Sequence, residues 1–305
     1  MKTKSNLERV LEAGHFAVTA ELGPPRGADP EAVRKKAKIL KGYADAFNVT
    51  DGQTAIVRMA SWAACLVAKE EGLDPIVQMT CRDRNRIALQ MDVLGVAALG
   101  INNILCLSGD HMSFGDHPGA KGVYDIDSVQ LVKMVKDMRD ERKFQCGEEM
   151  EVEPRLFIGA AANPFAQPYD YRPYRLAKKV AAGADFVQTQ IVFNLDRFKE
   201  YMKRVCDMGL HEKVYILAGV SPIRSYGAAK YMATKVPGLD VPEEILERMR
   251  KTPKGERAEE GKKICVEIIQ QVREIPGVRG VHIMAIEWEE AVPEIVERAG
   301  LLPRP

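Results

Sequence analysis

The carboxylate Glu21 closes the apolar run Phe16-Ala-Val-Thr-Ala-Glu21, and the chain then breaks at Leu-Gly-Pro24-Pro25-Arg26. An acid delivered by a strand to a proline break is placed to give or take a proton. The purely structural alternative is a helix cap or an ion pair with Arg26. A second acid, Asp110, follows Ser108-Gly109 at the end of another apolar run, where a turn aspartate is the plain alternative. Two carboxylates projecting into one cavity would divide into a protonated and an ionised form, so Glu21 and Asp110 form a candidate acid/base pair. Gln190 ends Phe186-Val-Gln-Thr-Gln190, where its amide can offer a donor and an acceptor to a ligand or be used up in the core. Lys179 near a helix end reads, by itself, as a solvated lysine. His111, Asp116 and His117 cluster beside Asp110, but their spacing matches no metal motif and no metal is expected.

These groups need elements to hold them. Eight short apolar runs read as strands, at about residues 16–21, 45–50, 75–80, 103–108, 155–162, 185–190, 214–219 and 280–286. Near-continuous apolar strands are those of a parallel sheet buried on both faces. Between them lie helix-length segments, one of which repeats Leu195, Phe198, Met202 and Val205 along a single stripe. Glycines such as Gly183 close helices ahead of the strands, and Asp29-Pro30 opens one. Strict alternation of this kind, with no G-x-G-x-x-G after the first strand, predicts an α/β fold: one (β/α)8 TIM barrel spanning residues 1–305 with loop insertions. The insertions are a glycine-rich loop at 109–127, a charged excursion at 141–154, and an added helix within 237–263 whose charge run reads as a solvated face. Strand ends carrying Asn48, Thr50, Asp51, Gln78, Thr80, Ser108, Asn163 and Gln190 would then form one catalytic mouth.

With 44 basic against 43 acidic residues and a net charge of +1, nothing draws the chain to nucleic acid or an anionic membrane. No window reaches the roughly 18 apolar residues of a membrane span. The polar start Met1-Lys-Thr-Lys is no signal sequence, so a cytoplasmic protein is expected. Six scattered cysteines without a C-x-x-C pair point to buried reduced thiols rather than a zinc or iron-sulfur site.

Together, Ala20-Glu21-Leu-Gly-Pro-Pro-Arg26, Val49-Thr50-Asp51-Gly52, Met79-Thr80-Cys81, Leu107-Ser108-Gly109-Asp110 and Ala182-Gly-Ala-Asp185-Phe-Val-Gln-Thr-Gln190 resemble the methylenetetrahydrofolate reductase family over nearly the whole chain. The resemblance implies a flavin-holding barrel that reduces 5,10-methylenetetrahydrofolate to 5-methyltetrahydrofolate. It implies Glu21 as general acid, Asp110 as the carboxylate beside flavin and pterin, and Gln190 as a folate contact. It also implies flavin contacts from Thr50, Asp51, Gln53, Gln78, Ser108, Gly109, Asp110, Tyr124, Asp125, Asn163, Gln167 and Lys179.

Departures from the family pattern at Gln78, Ser108 and Asn163 leave FAD, the first expectation, beside FMN. A family glutamine falls at Ala228 and a family arginine at Trp288, so Trp288 becomes a candidate substrate contact. The altered subsite is similar to that of acetogen-type reductases, which implies electrons from NAD(P)H or from an iron-sulfur partner subunit. An oligomer is expected. The competing function is a non-redox pterin-binding or aldolase-like barrel using Glu21 and Asp110 as acid and base.

Overall fold

The computed structural model describes residues 1–305. Eight strands, β1 (Ala17–Leu22), β2 (Ala46–Val49), β3 (Pro75–Thr80), β4 (Asn103–Leu107), β5 (Phe157–Ala162), β6 (Phe186–Ile191), β7 (Tyr215–Val220) and β8 (Val278–Ile283), close in sequence order into a barrel. Every neighbouring pair is parallel, and β8 returns to β1 through Thr19 opposite His282. The helices are α1 (Asn6–Glu12), α2 (Pro30–Leu40), α3 (Ser61–Glu70), α4 (Arg86–Ala98), α5 (Ser128–Asp140), α6 (Arg172–Ala182), α7 (Leu195–Asp207), α8 (Tyr226–Lys235), α9 (Glu243–Lys251), α10 (Arg257–Arg273) and α11 (Val292–Arg298). None is long and apolar enough to cross a membrane. The single-domain (β/α)8 barrel expected from the strand pattern is the observed fold.

Local chemistry explains the helix ends. Asp29 caps α2 by accepting from the Glu31 amide with Pro30 in the first turn, and Gly183 ends α6 at a φ of 110°. Asp127 and Gln130 form a reciprocal capping box on α5, whose first residue, Ser128, lines the central cavity. Replacing the cap, Asp127→Ala, is expected to cost about 1 kcal/mol, read as a lower urea midpoint at unchanged slope.

The barrel interior is layered because strand side chains alternate between the two faces. At the base, Ala17, Ala46, Ile76, Leu105, Phe157, Phe186 and Leu217 form a separate apolar cluster with Leu7, Val10 and Leu11 of α1. This N-terminal helix plugs the bottom, a role its seven residues did not announce in sequence. Gly159 makes room for the plug layer, since a Cβ there would stand 2.3 Å from the Phe186 ring.

Four expectations are corrected. The last strand ends at Ile283, not 286, because β7 stops at Val220; Met284 makes one further bond to Val220 and Ile286 lies exposed. The 237–263 insertion holds α9 and the first turns of α10 rather than a single helix. Its charge run is not merely solvated, since Arg248 bridges Glu260 and Glu267 and so ties α9 to α10. Of the six thiols, Cys65, Cys81, Cys106 and Cys265 are buried, Cys206 is half-buried, and Cys146 is exposed on the charged excursion.

Candidate active site

At the C-terminal ends of the strands lies a cavity of about 320 Å³ whose lining includes Glu21, Gln78, Ser108, Lys179, Gln190 and His282. Its floor is a polar layer one step above the apolar plug. Asn48 and Gln188 exchange amide hydrogen bonds of 2.7 and 2.9 Å, Gln188 also donates to the Thr19 hydroxyl at 3.0 Å, and that hydroxyl meets His282 Nδ1 at 3.0 Å. Burial pulls His282 down to about 3, so the ring is neutral. Buried amides with both ends satisfied fix the floor and leave its upper edge to a ligand.

Glu21 stands above this floor on β1 and is 7% exposed. Burial, then the negative charge of Glu289, push its carboxyl up from 4.5 to about 7; Lys36, the Gln53 side chain and Arg58 pull the other way. A carboxyl poised near neutrality can carry a proton at working pH and release it.

The opposite wall is cationic. Arg172, Arg175 and Lys179 lie at i, i+3 and i+7 on α6, and all three line the cavity. None has a carboxylate partner: Arg172 donates to the Ala166 and Gln167 carbonyls, and the buried Lys179 ammonium to the Ala161 carbonyl. Burial, and then Arg175, pull Lys179 down to about 8. Unpaired cations on a half-enclosed wall suit a phosphate-bearing ligand.

Of the expected site residues, Glu21, Gln78, Ser108, Asn163, Lys179 and Gln190 line this cavity. The pairing of β6 with β7 shifts register between Gln188 and Ile191. Within that irregularity the Gln190 side chain bonds the Ile191 amide. Thr50 Oγ1 is buried without a partner at the end of β2. Gln53 follows in a short 3-10 turn beside Glu21. Gly109 has a φ of 91°, and a Cβ there would come within 2.9 Å of the Arg82 side chain.

Other residues sit elsewhere. The two carboxylates expected in one cavity are not brought together: Glu21 lines it and Asp110 does not. The left-handed Gly109 turns the chain outward, and the exposed Asp110 carboxylate accepts from the Thr54 amide at 2.9 Å on the rim. Its carbonyl is held by Arg82 and by the Tyr124 hydroxyl, each at 3.3 Å. Asp51 binds the Thr80 amide and hydroxyl and pairs with Arg84 at 2.7 Å, which ties β2 to β3. Asp125 is clamped by Arg86, which holds it down to about 2. Gln167 is exposed, its carbonyl taken by Arg172. Trp288 packs against the core edge with the Arg224 guanidinium 5.7 Å from its ring, outside the cavity lining.

Sequence reading missed Arg172, Arg175, Asn48 as a floor residue, and His282. The two arginines were findable as a one-sign helical stripe ending in Lys179. His282, a lone histidine in an apolar strand, gave no signal apart from its inward register.

Comparison with known proteins bears on this arrangement. Residues 6–300 match the model of the family Methylenetetrahydrofolate reductase. A probable methylenetetrahydrofolate reductase (NADPH) of Caenorhabditis elegans is 23% identical over 97% of this chain and 44% of its own length. Methylenetetrahydrofolate reductase 2 of Schizosaccharomyces pombe is 26% identical over 84% of the chain and 40% of its own length. The chain thus spans less than half the length of these curated relatives. Among solved structures, a Clostridium thermocellum protein described as binding two copies of 5-methyl-5,6,7,8-tetrahydrofolic acid shares the fold. The two superpose with a TM-score of 0.65 at 14% identity, covering 98% of this chain and all of that one. On the strength of the match across nearly its full length, the chain belongs to the methylenetetrahydrofolate reductase family.

Proposed function

We propose that this barrel binds a flavin and reduces 5,10-methylenetetrahydrofolate to 5-methyltetrahydrofolate with Glu21 as general acid. The observation that carries the reading is a buried carboxyl held near neutrality in a cavity whose far wall is an unpaired cationic stripe. The residues present fit a flavin. Lys179, Arg172 and Arg175 offer uncompensated charge to its phosphate end, and the orphaned Thr50 hydroxyl awaits a polar partner. Gly109, packed against Arg82 and Thr80 at a left-handed φ, sets the turn that follows Ser108 at the edge of the ring site. Around these, Gln53, Gln78, Ser108 and Asn163 supply amide and hydroxyl contacts, while Asp51, Tyr124, Asp125 and Gln167 shape the surrounding loops. When bound, the flavin supplies the hydride chemistry.

Glu21 protonates the folate nitrogen released as the one-carbon bridge opens, and its burial keeps that proton available near pH 7. Gln190 orients the pterin through its amide. Asp110 acts from the rim, where its negative charge favours the cation that develops as the bridge opens. Trp288 offers a ring face to the outer part of the substrate.

A visible spectrum tests the reading. The purified chain titrated with flavin is expected to show a bound band near about 450 nm, whereas a colourless protein that never acquires the band is a non-redox barrel. Chromatography of the released cofactor distinguishes FAD, the first expectation, from FMN. Rapid flavin reduction of the isolated chain by NADH or NADPH identifies a nicotinamide donor; reduction by neither, with reduction by an added iron-sulfur protein, identifies a protein donor.

A further inference from the structure

Two charged residues outside the cavity lining meet at the strand end that carries Glu21. Lys36 of α2 and Glu289, in the 3-10 turn Glu289–Ala291 after β8, pair at 2.5 Å with side chains 27% and 6% exposed. Between them runs the backbone of Gly23, two residues beyond Glu21. Its amide donates to Glu289 Oε1 at 3.4 Å and its carbonyl accepts from Lys36 Nζ at 3.1 Å. A Cβ on Gly23 would lie 3.7 Å from the ammonium and 3.9 Å from the carboxylate. The ion pair therefore closes on the chain from both sides, at the point where β1 ends and Pro24 begins.

We propose that Lys36 and Glu289 are positioning residues for Glu21, a half-buried charged clasp on the Gly23 backbone that fixes the end of β1 from which the Glu21 carboxyl projects. The clasp rests on the reading of Glu21 as the acid only for its purpose, not for its geometry. A largely desolvated ion pair is weak evidence of a stability device, because desolvation offsets its attraction. Placed beside a third ionisable group, however, it acts on that group through both charges. Burial is the main upward push on Glu21; on top of it Glu289 raises the carboxyl further and Lys36 lowers it, leaving it at about 7. The other groups facing Glu21 are Arg58 and Gln53 from the segment after β2, and the neutral His282 from β8. Arg58 donates to the Pro24 carbonyl at 3.1 Å and pairs with Glu287 at 2.8 Å, so the next residue along is also held by a cation with an acidic partner.

The Glu21 carboxyl can be titrated directly by 13C NMR of the full chain labelled in glutamate carboxyls, with Glu21→Gln assigning the resonance. Glu289→Gln removes the negative charge and leaves Lys36, so the Glu21 midpoint is expected to fall by about one pH unit, a tenfold change in its ionisation constant. The double variant Lys36→Met with Glu289→Gln removes both charges at once and is expected to bring the midpoint back toward the wild-type value. A midpoint unmoved in Glu289→Gln overturns the proposal, and so does a fall that persists undiminished in the double variant, which would mark loosened packing rather than charge. If neither variant folds, Glu289→Asp keeps the charge and must leave the midpoint close to wild type. The alkaline limb of folate turnover on the same proteins is a separate readout. If it does not follow the NMR midpoint, Glu21 loses its role as acid while the clasp stands.

Discussion

Glu21→Gln is expected to slow folate reduction by roughly 10² to 10⁴-fold, the range for loss of a general acid, while making the protein more stable above neutral pH. The two effects have one cause. The carboxyl is raised from 4.5 to about 7 in the folded protein. Between those values the native state holds a proton that the unfolded chain has released, so wild-type stability falls as pH rises through that window. Above it the buried carboxylate is ionised at a cost of about 3 kcal/mol. Glutamine fills the same space without titrating. The gap in unfolding free energy between variant and wild type should therefore open from pH 4.5 to 7 and stay constant beyond, as measured by urea unfolding across pH. A parallel loss of stability and activity would instead make Glu21 a packing residue.

Lys179 carries the mirror-image argument. Its ammonium is lowered from 10.5 to about 8 by burial and by Arg175. Below pH 8 the folded protein bears an unpaired buried charge, and between 8 and 10.5 it sheds a proton that the unfolded chain keeps, so stability rises with pH there. Lys179→Met should accordingly be the more stable protein at pH 7 in the absence of ligand, with the advantage fading from pH 8 to 10.5. Its affinity for riboflavin 5′-phosphate should fall by about 10- to 100-fold, the worth of one charge-assisted hydrogen bond, and with Arg175→Met added by about 10² to 10⁴-fold. Riboflavin, which lacks the phosphate, is the control: its affinity should change little in either variant. Equal losses for the two ligands would remove the cationic wall from the phosphate site. Two buried ionisable groups of opposite type, each held at the expense of stability, are the pattern expected of a site for binding and proton transfer.

How much of this could be read from the chain divides along physical lines. The barrel was legible because each strand is a short apolar run with a polar end, and because glycine and capping residues punctuate the helices with a local mechanism. Glu21 and Gln190 were legible for the same reason: period-two alternation places them inward at the mouth. Asp110 was not, since one left-handed glycine decides which way the chain leaves β4, and the Thr54 amide that captures the carboxylate lies 56 positions away. The Asn48, Gln188, Thr19 and His282 floor and the Lys36 and Glu289 clasp depend on closure of β8 against β1, a contact spanning most of the sequence. The α1 plug is not legible in the sequence because its value lies in what it covers, not in its own propensity.

The most direct measurement mixes chemically reduced, flavin-loaded protein with 5,10-methylenetetrahydrofolate across pH and follows flavin reoxidation together with formation of the 5-methyl product. This separates the folate step from any electron donor. Fast reoxidation below pH 7 that declines as Glu21 ionises, and a rate at least about a hundredfold lower at low pH in Glu21→Gln, is the predicted result. Equal rates for the two proteins at every pH would contradict the assignment of the acid, and reoxidation without methyl product would contradict the reaction itself.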